Sequence, residues 1–122
     1  MTRIRTIIAA VCAAALMAPV AAFAHAHLDH AQPAAGSTVK TPPQDVTLSF
    51  TEAVEPKFSS IAVRDAHGAV VTDGVAQAMP GNTAQLRIGL KPLAAGTYTV
   101  EWRVLSVDTH RTHGDFTFTV EP

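Results

Sequence analysis

The chain has 122 residues, with 9 basic and 10 acidic side chains, 6 histidines and one cysteine. Because the charges nearly balance and neither sign forms a long block, the composition gives no support to nucleic-acid binding. A chain of this length supplies one small domain with a single modest core.

Residues 1 to 24 have the pattern of a cleaved secretory signal peptide. Two arginines precede an apolar run over 7–16, and the sequence AFA at 22–24 is a small-residue cleavage signal. An uncleaved anchor is the alternative, because 7–24 is nearly long enough to span a bilayer, but Pro19 and the A-x-A ending favour removal. We therefore predict cleavage after Ala24, a periplasmic protein without stable membrane insertion, and one domain over residues 25–122.

The chain after residue 24 has 98 residues, since 24 of 122 are removed. The two arginines of the signal leave with it, so 7 basic residues face 10 acidic ones and the net charge is −3. Cys12 lies in the signal, so the exported chain has no disulfide and no thiolate ligand. A metal site must therefore use nitrogen, oxygen or the thioether of Met79.

Short segments of strict apolar and polar alternation follow, separated by turn signals rich in Gly, Pro, Asn and Asp at 33–37, 41–45, 65–69, 79–83 and 92–96. No helical pattern of useful length appears. The spacing predicts an all-β fold, a Greek-key β-sandwich of about seven strands, immunoglobulin-like or cupredoxin-like. The residues predicted to point inward are Val46, Leu48 and Phe50, then Ile61 and Val63, then Leu86, Ile88 and Leu90, then Tyr98, Val100, Trp102 and Val104, and last Phe116, Phe118 and Val120.

Histidines are the chemically distinctive residues, and three of them crowd the predicted new N-terminus. Of these, His25 would offer both an α-amino nitrogen and a ring nitrogen to one metal ion once Ala24 is removed. The protons of both groups are displaced at little cost near neutral pH. His30, His67 and His113 are interpreted as solvated surface residues.

The second element is the sequence DTH at 108–110, directly after the longest predicted strand. In an extended chain, residues i and i+2 point to the same side, so Asp108 and His110 can converge. Together with His25 they give a set of nitrogen and oxygen donors without sulfur, which fits Cu(II). Zinc accepts similar ligands. The ordinary alternative is an Asx-type turn that ends a strand.

These residues carry a resemblance. The segments HAHLDHAQPAAGSTV, LSFTEAVE and AGTYTVEWRVLSVDTHRTHGDFTFTV are similar to the CopC family of periplasmic copper-resistance proteins, over nearly all of residues 25–121. The resemblance implies a cupredoxin-like sandwich with one Cu(II) per chain, bound by His25, Asp108 and His110. It also implies that Glu52 supports the ligands from nearby, and it suggests an inner-membrane copper transport protein as partner. We expect a monomer.

Two features depart from the family pattern, the methionines and the histidines at 30 and 113, which do not match metal positions of the family. Some members carry a methionine-rich segment for Cu(I), whereas Met79 is the single methionine after the signal. His27 also allows a competing geometry, in which the terminal amine, two backbone amides and the third imidazole of HAH wrap Cu(II). In a folded chain this geometry breaks backbone hydrogen bonds, which disfavours it. We therefore place His27 beside the site or as a weak ligand.

The predicted function is a Cu(II) carrier or buffer in copper resistance and homeostasis, not an enzyme. The alternative is a copper-dependent oxidase with an N-terminal histidine brace, resembling lytic polysaccharide monooxygenases, although Asp108 would fill a position that oxygen chemistry needs open. A blue-copper electron carrier is excluded because it requires a cysteine thiolate. A metal-free adhesion or scaffold domain is the remaining alternative.

Overall fold

The computed structural model describes residues 26 to 122, and the elements of this range are almost entirely β-strands. A single turn of 3₁₀ helix interrupts them, and within the described range no helix has the length and apolarity needed to cross a membrane. The strands are β1 (Leu28–Gln32), β2 (Thr38–Val39), β3 (Asp45–Phe50), β4 (Ser60–Arg64), β5 (Thr72–Met79), β6 (Asn82–Leu90), β7 (Gly96–Leu105) and β8 (Arg111–Val120), with the 3₁₀ helix at Pro56–Phe58.

The strands form two four-stranded sheets. The first has the order β1-β3-β6-β5 with antiparallel neighbours, and the second has the order β2-β8-β7-β4. In the second sheet β2 lies parallel to β8, and the other pairs are antiparallel. The predicted all-β sandwich is confirmed, with eight strands among residues 26–122 where about seven were expected.

The core lies between the two sheets and consists of the residues that alternation assigned to it. Every predicted inward residue of β3, β4 and β7 is buried, while Leu90 at the end of β6 and Phe116 within β8 are partly buried and pack against the same core. The indole of Trp102 meets the ring of Phe50 edge-on at 5.3 Å between centroids. Burial of this apolar surface is the main term that holds the sheets together.

Two parts of the chain meet at one end of this sandwich. The β7–β8 ladder runs from Gly96 paired with Val120 to Leu105 paired with Arg111, so the loop 106–110 closes that end. At the same end, the start of β1 pairs with the end of β3, where Leu28 faces Phe50. The segment after β3 then joins the loop through a bridge between Val54 and Ser106. This arrangement places the first described residues beside the β7–β8 loop.

Candidate metal centre

The loop 106–110 is a tight turn. The Ser106 N–H donates to the His110 carbonyl at 2.9 Å, and the Thr109 N–H donates to the Ser106 carbonyl at 2.9 Å. Thr109 has φ of 74°, in the left-handed region that a β-branched residue rarely adopts. Such strain persists only where the surroundings enforce it, and it concentrates at binding sites.

This turn brings Asp108 and His110 together. The Nδ1 of His110 lies 3.3 Å from Oδ1 of Asp108, with 52% and 32% of the two side chains exposed. The proximity expected from the DTH spacing is therefore present, but its cause differs from the expected one. The backbone reverses at Thr109, so a turn produces the convergence in place of an extended strand.

The carboxylate of Asp108 has one satisfied and one unsatisfied oxygen. The Ser106 hydroxyl donates to Oδ1, whereas Oδ2 is shielded from solvent and has no hydrogen-bond partner among the described residues. Buried polar atoms are nearly always paired, so this carboxylate oxygen is a candidate donor to a further bound group. The Ser106 hydrogen bond lowers the pKa of Asp108, burial acts in the opposite direction, and contacts with His110 lower it further. Asp108 is therefore ionised at neutral pH and offers a negatively charged oxygen donor.

The first described residues lie against the start of β8. Ala26 is fully buried, and its carbonyl accepts a hydrogen bond from the Thr112 hydroxyl at 2.6 Å. The neighbouring His27 N–H donates to Oγ1 of Thr51 at 3.0 Å. His25, the predicted N-terminal ligand, lies outside the described residues, and Ala26 is its neighbour in the chain.

Among residues 26–122, no group of three or more His, Cys, Asp or Glu side chains is placed so that it could hold a metal ion. The described range thus contributes the pair Asp108 and His110. His27 and Glu52 are both exposed, and Glu52 follows the Thr51 that contacts His27. These two residues complete no three-donor set within that range.

The remaining histidines occupy the surface. His30 is exposed, with Nδ1 3.3 Å from Oδ2 of Asp29. The N–H of His67 donates to Asp65 in an exposed turn, as the turn signal at 65–69 predicted. His113 is exposed and faces Arg103 across the β7–β8 ladder.

Sequence reasoning missed the supporting hydroxyl residues. Ser106 is 1% exposed and contacts both the carboxylate of Asp108 and the backbone of His110. The hydroxyl of Thr112 donates to the carbonyl of Ala26. Both lie two residues from a candidate ligand, in the sequence S-x-D-x-H-x-T, but that spacing does not predict the contact of Thr112 with Ala26.

Comparison with known proteins gives concordant similarities. A family model described as the CopC domain matches residues 28–121. Protein YobA of Escherichia coli (strain K12) is 41% identical over 100 residues, which cover 81% of each chain. Copper resistance protein C of Escherichia coli is 35% identical over 109 residues, covering 82% of this chain and 84% of that protein. The crystal structure of CopC from Methylosinus trichosporium OB3b superposes with a TM-score of 0.76 at 39% identity, over 80% of this chain and 95% of that one.

Proposed function

The chain belongs to the CopC family, and from this premise we propose that it is a periplasmic Cu(II)-binding protein that carries or buffers copper in copper resistance and homeostasis. The family match extends over the sandwich and the 106–110 loop. One relative is named copper resistance protein C and aligns with this chain over 84% of its own length. This similarity supports copper as the cargo.

The proposed site binds one Cu(II) per chain through the amine and ring of His25, the carboxylate of Asp108 and the ring of His110. The observation that carries the proposal is the shielded, unpaired Oδ2 of Asp108 within a strained turn that also holds His110. Nitrogen and oxygen donors without sulfur suit Cu(II), which prefers a tetragonal set. Ala26, bonded to Thr112 beside this turn, supports the placement of a third donor from residue 25.

His27 and Glu52 are proposed as neighbours of the ion. Carboxylates near a metal centre orient its ligands and tune its affinity, which is the role we assign to Glu52. His27 is assigned a position beside the site, since its backbone is engaged by Thr51 at both N–H and carbonyl.

Processing and location follow from the same proposal. Cleavage after Ala24 would convert the backbone nitrogen of His25 from a nonbasic amide into an amine, which only then can bind a metal ion. We propose export to the periplasm as a monomer and exchange of copper with an inner-membrane copper transport protein. A chain with one extra residue before His25 should lose much of its Cu(II) affinity, measured by competition with a chelator.

We propose a binding role and not an oxidase. With Asp108 as an additional anionic ligand, the ion would lack the open position that oxygen chemistry requires. A groove of about 460 Å³ lies on the outer face of the first sheet and is lined by Asp45 and Arg87. Asp108 does not line this groove, so the groove would not hold a substrate at the proposed metal site. Consumption of reductant and peroxide by the copper-loaded protein tests the choice, and sustained turnover would favour the oxidase.

The decisive experiment is a Cu(II) titration of exported protein whose N-terminus has been verified by intact mass. We expect one equivalent to bind and quench the single tryptophan, and we expect affinity to fall as pH drops below about 6 because protons compete for imidazole. His110→Ala should weaken binding at least about 100-fold, more than loss of a supporting contact does. His67→Ala is the matched control, because His67 lies in a turn at the opposite end of the second sheet. Unchanged affinity and spectra for His110→Ala would overturn the assignment.

A further inference from the structure

The peptide group between Ala26 and His27 is hydrogen-bonded at both its carbonyl and its N–H. The carbonyl of Ala26 and the N–H of His27 belong to the same planar unit. The Thr112 hydroxyl donates to that carbonyl at 2.6 Å, across 86 residues of sequence. On the opposite edge, Oγ1 of Thr51 accepts from that N–H at 3.0 Å. The first residues of a domain are usually poorly ordered unless such contacts tie them down.

We propose that Thr112 and Thr51 form an N-terminal clamp, a pair of positioning residues that aligns the processed chain end with His110 and keeps the amide of His27 away from copper. This inference rests on the proposed function for its copper chemistry. The clamp itself is a property of the metal-free chain.

The alignment follows from where Thr112 lies. It is the second residue of β8, faces Val104 in the β7–β8 ladder, and comes two residues after His110. Its hydroxyl is therefore fixed by the sheet and not by a mobile loop. A residue that precedes Ala26 has its Cα about 3.8 Å from the Cα of Ala26, so holding Ala26 confines the nitrogen of residue 25 to the neighbourhood of the turn.

The second effect concerns the competing chelate made by the sequence HAH alone. That chelate requires the amide nitrogen of His27 to lose its proton and bind the ion. Here the same N–H is committed to Thr51, and the Thr51 N–H donates in turn to the His27 carbonyl at 2.8 Å. The hydrogen bond from the His27 N–H must break before HAH can wrap an ion, so the clamp favours the site that includes His110.

The test uses substitutions that remove one hydroxyl and keep the side-chain shape. Thr112→Val deletes the donor to Ala26, and Thr112→Ser restores it. Thr117→Val is the matched control, because Thr117 lies on the same strand with its side chain on the outer face, opposite Thr99. Thr51→Val deletes the acceptor for His27 at an exposed position, so it carries the test if Thr112→Val does not fold.

Two readouts are measured on exported protein. The first is amide hydrogen exchange of His27 in the metal-free chain, which we expect to be roughly two- to tenfold faster in Thr112→Val and Thr51→Val, in line with the loss of one hydrogen bond. The second is the electron paramagnetic resonance spectrum with one equivalent of Cu(II), which should shift toward four in-plane nitrogens in the same variants. Thr112→Ser and Thr117→Val should behave as the parent.

Equal exchange rates and identical spectra for Thr112→Val and Thr117→Val would overturn the clamp. If the parent protein bound no Cu(II), the proposed function would fail, yet the exchange rates of the metal-free chains would still decide whether the clamp exists. The two failures are therefore distinguishable.

Discussion

Replacing Gly114 with alanine forces a methyl group into the ring of Trp102. A Cβ built on Gly114 lies 2.6 Å from Cζ2 and 2.9 Å from Cε2 of the indole. Carbon atoms in good contact are about 3.5 to 4.0 Å apart, so the ring or the strand must move by roughly 1 Å. The ring has little room, since Trp102 is 7% exposed and packs against Phe50 in an edge-on contact at 5.3 Å between ring centroids.

The size of the effect follows from two opposing terms. Overpacking a filled core costs about 1 to 3 kcal/mol. Exchange of glycine for alanine in a backbone that alanine tolerates returns about 0.4 to 1 kcal/mol by restricting the unfolded chain. We therefore expect Gly114→Ala to lower the free energy of unfolding by about 1 to 2 kcal/mol, and the unfolding temperature by about 5 to 15 °C for a domain of this size.

Urea unfolding followed by the fluorescence of Trp102 measures the effect at the perturbed ring. Gly89→Ala is the control, because its Cβ would meet the Asp73 carbonyl oxygen at 3.4 Å, an ordinary contact. It should leave the free energy of unfolding unchanged or raise it by up to about 1 kcal/mol, because the unfolded chain is restricted and no clash opposes the gain. If Gly114→Ala were as stable as Gly89→Ala and left the emission of Trp102 unchanged, the account of this contact would be wrong.

Three further substitutions test the core and the turn. Leu48→Ala empties a fully buried position of β3 and should cost about 2 to 5 kcal/mol in urea unfolding; a loss below 1 kcal/mol would contradict the core assignment. Thr109→Gly removes a side chain from a backbone with φ of 74° and should raise the free energy of unfolding of the metal-free chain by up to about 1 kcal/mol in thermal unfolding. A lower free energy of unfolding than that of the parent would show that the turn is unstrained. Ser106→Ala removes the hydrogen bond that does most to lower the pKa of Asp108, so carboxyl NMR titration should show that pKa rising. The pKa of Asp108 in the folded chain lies below the ordinary 3.8, so the stabilisation from the ionised carboxylate is complete above that pH and is lost as the pH falls through the folded pKa. The difference in free energy of unfolding between Ser106→Ala and the parent should therefore shrink below about pH 4. A difference that stays constant with pH would refute the assignment.

Alternation predicted the strands that bury one full face and missed those that do not. The five strands β3, β4, β6, β7 and β8 each contain a run with an apolar residue at every second position, and each of these runs lies in a strand as the pattern indicated. The edge strand β5 has no such pattern, because Gly74 takes φ of 82° and the pairing register shifts between Asp73 and Gln77, which leaves Val75 76% exposed. An irregular edge strand buries too little apolar surface to require apolar residues at every second position of the sequence.

The proximity of Asp108 and His110 was predictable from their spacing in the sequence, but the backbone geometry that produces it was not. Spacing alone brings Asp108 near His110 in either an extended strand or a turn, so the sequence could not choose between them. The choice depends on Thr109, whose positive φ no propensity rule predicts for a β-branched residue. The partner hydroxyl of Thr112 is 86 residues from Ala26, and a contact at that separation becomes visible only when the sheets are assembled.

The division of the proposed site between a hairpin loop and the chain start has a physical consequence. The loop half is built by short-range hydrogen bonds around Ser106 and is complete without any metal. The chain-start half depends on hydrogen bonds to Thr112 and Thr51, each of which contributes about 1 kcal/mol, and on the burial of Ala26. In the proposed site we therefore expect the loop to fix where an ion binds, because its hydrogen bonds form within five consecutive residues and do not depend on the chain start.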